Sequence, residues 1–203
     1  MNTTSSSLRA SLGLALVSLL LLGLFYSLAA TGLGGLLFPR TAAGSLIERD
    51  GKVVGSALVA QPFADERYFQ PRPSAANYDL MALAGSNQAR SNPDLRQRIE
   101  QTRAAVAARE GIAPEAVPGD LLTQSGGGID PHISPEGARI QIARVAQARG
   151  WDAAKVAGLV ALHTEGPQFG LFGQPRVNVL DLNLALDAFP ASASGVHKPS
   201  GVQ

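Results

Sequence analysis

Cysteine is absent from all 203 residues. This excludes disulfide staples, thiolate metal centres and a cysteine nucleophile, and leaves the compartment open. Net charge is nearly absent as well, with 17 Lys+Arg against 16 Asp+Glu. Setting aside Arg9, the rest of the chain carries equal numbers of each sign. Such a body lacks the basic excess that holds nucleic acid or an anionic membrane surface, so no nucleic-acid partner is expected. The third absence is local: from Ala10 to Pro39, thirty residues pass without a charged side chain.

That stretch is densest between Leu12 and Ala30 and predicts a helix. A bilayer core of roughly 30 Å takes about 20 apolar residues in a helix, the conformation that satisfies its own backbone polar groups where no water can. Residues 10–38 are therefore read as one transmembrane helix behind a short tail, residues 1–9. A cleaved signal peptide is the rival, since Arg9 supplies a positive start and Ser27-Leu28-Ala29 resembles a small-x-small cleavage site. Signal cores run about 7 to 15 residues, shorter than this one. Gly23, Ser27 and Thr31 follow one another at i, i+4 and i+8, a small-residue row that would let another membrane helix approach closely. Basic residues near the helix number one before it, Arg9, and three after it, Arg40, Arg49 and Lys52. By simple positive-inside counting the domain would lie in the cytosol, although that rule weakens for long translocated domains.

Residues 40–189 have the size of a single soluble domain, expected to be α/β in the broad, α+β sense. Asp50-Gly51 is a hairpin turn between Gly44–Ile47 and a strand from Lys52 towards Ala60, with Gly55 at a bulge or close contact. From Gln61 to Pro93 no period holds, and Pro62, Pro71, Pro73, Gly85 and Pro93 alternate with Tyr68, Phe69 and Tyr78. So long an irregular stretch in a compact domain reads as a functional loop. Asn92 caps a helix with Pro93 in its first turn and Gly111 as its stop, its arginines and glutamates forming a solvated face. Gly119–Thr123 reads as a short buried strand or turn. Ser134 then caps a helix running to Gly150, and Asp152 caps another, with His163 on its inner face, ended by Gly166-Pro167. Val177–Leu186 fits either an alternating strand or a helix. Residues 190–203 read as a disordered tail.

Chemistry is sparse along this chain. Ser125-Gly126-Gly127-Gly128 precedes a helix start, which is a recipe for holding an anion on backbone N–H groups, yet it lacks the lysine of a phosphate loop and the spacing of a dinucleotide fingerprint. Asp130 and His132 could share a metal or a proton, but no third ligand is recognisable. Ser125, His132 and Asp130 could be drawn as a triad, though no strand-turn-helix elbow surrounds the serine. An anchored hydrolase and a generic anchored binding or assembly module stay open on these grounds.

A set of short motifs in register goes further. Gly44–Ile47, Gly55–Leu58, Tyr68–Ala75, Gly85-Ser86-Asn87, Ser91–Pro93, Pro118–Thr123, Ser125–Ser134, His163–Gly166 and Val177–Asp187 together resemble the C subunit of the Kdp potassium-transporting P-type ATPase, over roughly residues 10–189. The resemblance implies a non-catalytic accessory subunit of a high-affinity, ATP-driven potassium-uptake complex in the bacterial inner membrane. It implies as partners a channel-like potassium-binding subunit, an ATP-hydrolysing P-type subunit and a small single-span subunit. It also implies a role in raising the ATP affinity of the hydrolysing subunit and a periplasmic domain; ATP and potassium would belong to the complex, with no cofactor bound here. Contact residues are then expected in the two loops: Tyr68, Phe69, Arg72 and Tyr78 as anchors, Ser86, Asn87, Ser125, Asp130 and His132 beside them, and Gly85, Gly126, Gly127 and Gly128 for backbone shape.

Overall fold

In the computed structural model, which describes residues 3–189, the chain forms two compact units that divide after Ile47. The first is helical. Helix α1 (Thr3–Ser18) runs into a wider, π-type stretch (Leu19–Tyr26) and on into α2 (Ser27–Leu37), with a single turn, α3 (Pro39–Ala42), beyond it. Ser6–Leu37 is a 32-residue helix whose most apolar 18-residue window has a mean hydropathy of 2.3, with none of that window buried. An apolar helix with no protein cover fits a single membrane span. On it, the Ser27 hydroxyl donates to its own Leu22 carbonyl at 3.4 Å.

The second unit mixes helices with two small sheets, the expected α+β class. Strand β1 (Leu46–Arg49), which spans the division after Ile47, makes a two-stranded ribbon with β2 (Lys52–Ser56). Asp50 and Gly51 both have positive φ, 53° and 73°, the conformation a two-residue hairpin turn needs. The strand stops at Ser56 rather than near Ala60, because the Ser56 side chain and carbonyl accept from the N–H groups of Leu58 and Val59 and turn the chain.

Helix α4 (Pro93–Glu110) begins as its sequence predicts: Asn92 Oδ1 accepts from the Asp94 N–H at 2.8 Å and Gly111 closes the far end in the left-handed region. Gly119–Thr123 differs from the strand reading. It is one helical turn, α5 (Gly119–Leu122), whose Leu121 and Leu122 are buried. The predicted long helix after Ser134 is two: α6 (Pro135–Arg139) and α7 (Ile142–Arg149), broken at the buried Gln141. Helix α8 (Ala153–Leu162) is capped by Asp152 and ends four residues before Gly166, with His163 as its cap rather than an inner-face residue. The ambiguous segment from Val177 is both of its readings in turn, β5 (Arg176–Asn178) and then α9 (Val179–Ala188), with Asn178 Oδ1 accepting from Asp181 N–H to start the helix.

Strand β5 is the middle of a three-stranded antiparallel sheet, between β3 (His132–Ile133) and β4 (Thr164–Glu165). Its Val177, with Phe69, Ile133, Val145, Val156, Leu182 and Leu186, forms the centre of one apolar core. The tail read as disordered, residues 190–203, lies outside the described residues.

Candidate partner-binding loops

The segment around Tyr68 is held from below by polar side chains buried in the core. Asn183 accepts from the Phe69 N–H at 2.8 Å and donates to its carbonyl at 3.0 Å. Gln141 does the same for Gln70, at 2.8 and 3.1 Å. Arg144 donates to the carbonyls of Glu66 and Tyr68 and forms an ion pair with Glu110 at 2.9 Å. An irregular segment has no ladder of its own, so these side chains satisfy its backbone where water cannot. Glu110 has a fully buried side chain and thus is not part of the solvated arginine face expected for α4. Spacing along the sequence carries no sign of this network.

Phe69 is fully buried in the core and offers nothing to a partner, contrary to its place among the expected contact anchors. Tyr68 stays half-buried, donating to Asp187 at 2.9 Å beneath the Arg149 guanidinium, 5.0 Å from its ring centre. Burial, followed by the hydrogen bond to the Asp187 carboxylate, raises its phenol pKa above the ordinary value.

Beyond Pro71 the two glycine-bearing loops interlock. Ser125 N–H donates to the Pro73 carbonyl at 3.1 Å, and Ser74 Oγ donates to the Gly128 carbonyl at 2.6 Å. Tyr78 folds back to donate to the Arg72 carbonyl at 2.7 Å, and burial raises its phenol pKa too. A Cβ on Gly85 would stand 2.6 Å from the Gly126 carbonyl oxygen. On Gly128, at φ 77°, it would stand 2.9 Å from the Ala84 carbonyl oxygen. Gly126 and Gly127, by contrast, face open space at ordinary φ, so close packing demands glycine at two of the four expected positions.

One edge of this knot is a small charged cluster. Arg72 Nη1 pairs with Asp130 Oδ2 at 3.0 Å, while Asp130 Oδ1 meets His132 Nδ1 at 3.3 Å and accepts from the His132 N–H at 3.0 Å. Burial pushes the Asp130 carboxyl up, but the two His132 hydrogen bonds and the Arg72 charge outweigh it, and its pKa lies below the ordinary value. Ser125 Oγ is buried and takes the Asp130 N–H at 3.4 Å. The contacts therefore do not run serine to histidine to aspartate, the order a nucleophile relay needs. The cluster borders a cleft of about 420 Å³ with Asp120, Ser134 and Arg176.

A second exposed stretch is apolar. Between Tyr78 and Gly85, Leu80, Met81 and Leu83 project outward, Met81 at 94% exposure. Asn87, at φ 49°, is exposed beside them, with Ser86 half-covered. The sequence signal was the run Leu80-Met81-Ala82-Leu83, apolar inside an otherwise aperiodic loop, which attention to aromatic residues passes over.

Residues 8–188 match the family model of the K+-transporting ATPase, c chain. Among curated proteins, the chain is 69% identical over 189 residues to the potassium-transporting ATPase KdpC subunit of Xanthomonas axonopodis pv. citri (strain 306), covering 93% of this chain and 92% of that protein. It is 67% identical over 189 residues to the KdpC subunit of Xanthomonas oryzae pv. oryzae (strain MAFF 311018), covering 93% and 90%. With the KdpC subunit of Xanthomonas campestris pv. campestris (strain B100), identity is 62% over 196 residues, covering 95% and 94%. A match along almost the whole length, through the anchor helix and both interlocked loops, places the chain in the family of the K+-transporting ATPase c chain.

Proposed function

We propose that this chain is a non-catalytic, membrane-anchored accessory subunit of a bacterial potassium-uptake ATPase, with its α+β domain on the periplasmic side of the inner membrane. The interlocked loops then meet the outer mouth of the channel-like potassium-binding subunit. The observation that carries this reading is the exposed Leu80, Met81 and Leu83 edge on a loop pair fixed by close packing. A rigid apolar edge is what a protein partner covers with little ordering cost. In this arrangement any rise in the ATP affinity of the hydrolysing subunit passes through the membrane subunits, because an external domain cannot reach a cytosolic nucleotide. The charge count around the anchor favours the reverse topology, which makes sidedness the decisive test.

The chain has no cysteine, so Met81→Cys gives a unique reporter. A membrane-impermeant maleimide should label it in intact cells when the chain is made alone, and label it weakly in the assembled complex. Labelling only after lysis would put the domain in the cytosol and favour direct contact with the ATP-hydrolysing subunit.

A further inference from the structure

Strands β4 and β5 are joined by a tip that the loops described above do not use. From Gly166 to Pro175 it carries no charge. Gln168 and Phe172 bridge it, each N–H donating to the other's carbonyl at 2.8 and 3.0 Å, and Gly170 and Leu171 donate to Pro167 and Gln168 at 3.0 and 3.1 Å. The turn so closed throws its side chains outward: Phe169, Leu171 and Phe172 are 83%, 81% and 66% exposed. At the neck, Glu165 and Arg176 face each other across the strands and pair at 2.8 Å.

Three large apolar side chains are gathered on one short, charge-free turn. They suit a deformable medium, and the chain brings one with it. The apolar run ends at Leu37, and eight residues, 38–45, lead from it to β1. At 3.3 to 3.6 Å per extended residue that is a tether of at most about 29 Å. A segment entering lipid must also satisfy its own backbone. Within the tip four N–H groups, those of Gln168, Gly170, Leu171 and Phe172, are donated internally, which lowers the cost of entering the interface. We propose that Phe169, Leu171 and Phe172 form a finger that inserts into the headgroup and upper acyl region of the bilayer, with Glu165 and Arg176 left at the headgroup level. Apolar tip below and charged neck above is the arrangement that interfacial elements adopt.

The inference uses the anchor of the proposed function and none of its loop contacts. Its test is the full chain carrying Leu171→Cys, or Gln101→Cys on the exposed face of α4 as control, labelled with an environment-sensitive fluorophore. Each is reconstituted into phosphatidylethanolamine and phosphatidylglycerol vesicles and recovered by flotation. Lipids brominated in the upper acyl chain should quench the label at 171 at least about two-fold more than at 101, while aqueous iodide does the reverse. Equal quenching at the two positions in floated vesicles refutes the finger and leaves the anchor intact. A chain that does not float refutes the anchor itself. A label at 171 that becomes shielded from both quenchers only in the assembled complex identifies a protein socket and overturns the lipid assignment. Phe172→Cys gives the same reading if Leu171→Cys lowers recovery of folded chain.

Discussion

One methyl group added to Gly85 would meet the Gly126 carbonyl oxygen at 2.6 Å. Backbone on both sides leaves no flexible end to move aside, so Gly85→Ala should cost about 1 to 3 kcal/mol in urea melts of the second unit. Gly127→Ala, in open space at ordinary φ, should fall within about 0.5 kcal/mol of the parent. Equal effects at the two positions would show that the loops do not interlock as described. Asp130 adds a pH signature. Its folded pKa is held below the ordinary value, and the unfolded value is about 3.9. The stabilisation it gives is therefore present above the unfolded value and lost as pH falls through the folded one. Asp130→Asn should lower stability at neutral pH by about 1 kcal/mol or less, since both partners of the Arg72 pair are partly exposed. The gap should close below about pH 4, and a gap that widens on acidification would contradict the ion-pair account.

At the scale of elements, capping chemistry was legible and helix continuity was not. Asn92, Ser134 and Asp152 each accept a backbone N–H at the helix start where the sequence put them. These are local events, decided within three residues. The break between α6 and α7 is different, because Gln141 bonds backbone some seventy positions away, at Gln70. Likewise Glu110 of α4 is tied to Arg144 of α7, two helices whose sequences look like ordinary charged surface. Removing one member strands the other charge. Glu110→Ala should therefore cost about 3 to 5 kcal/mol. Glu100→Ala, on the exposed i, i+3 pair with Arg103, should cost about 0.5 kcal/mol at most. Chemical denaturation of the two variants side by side measures the contrast.

For the whole molecule, the apolar helix of the first unit and the mixed second unit make separate demands. Full-length chain should stay in the membrane pellet through carbonate washing, and chain lacking residues 1–47 should be released. A soluble form beginning near Ala30 would instead support cleavage of a signal peptide. The anchor, the hairpin turn at Asp50-Gly51 and the helix starts were determined by the sequence itself, because hydropathy over thirty residues, positive φ and side-chain caps act over short chain distances. The resemblance to the c-chain family was legible too, through many short motifs in one order. Only the tertiary structure decided that Phe69 is core while Met81 is surface, that two of four loop glycines are indispensable, and that an arginine, a glutamine and an asparagine inside the core hold an irregular loop in place. Those outcomes depend on contacts between residues far apart in the chain. A residue type states what it can bond or bury, but its partner is fixed only when the fold brings the two together.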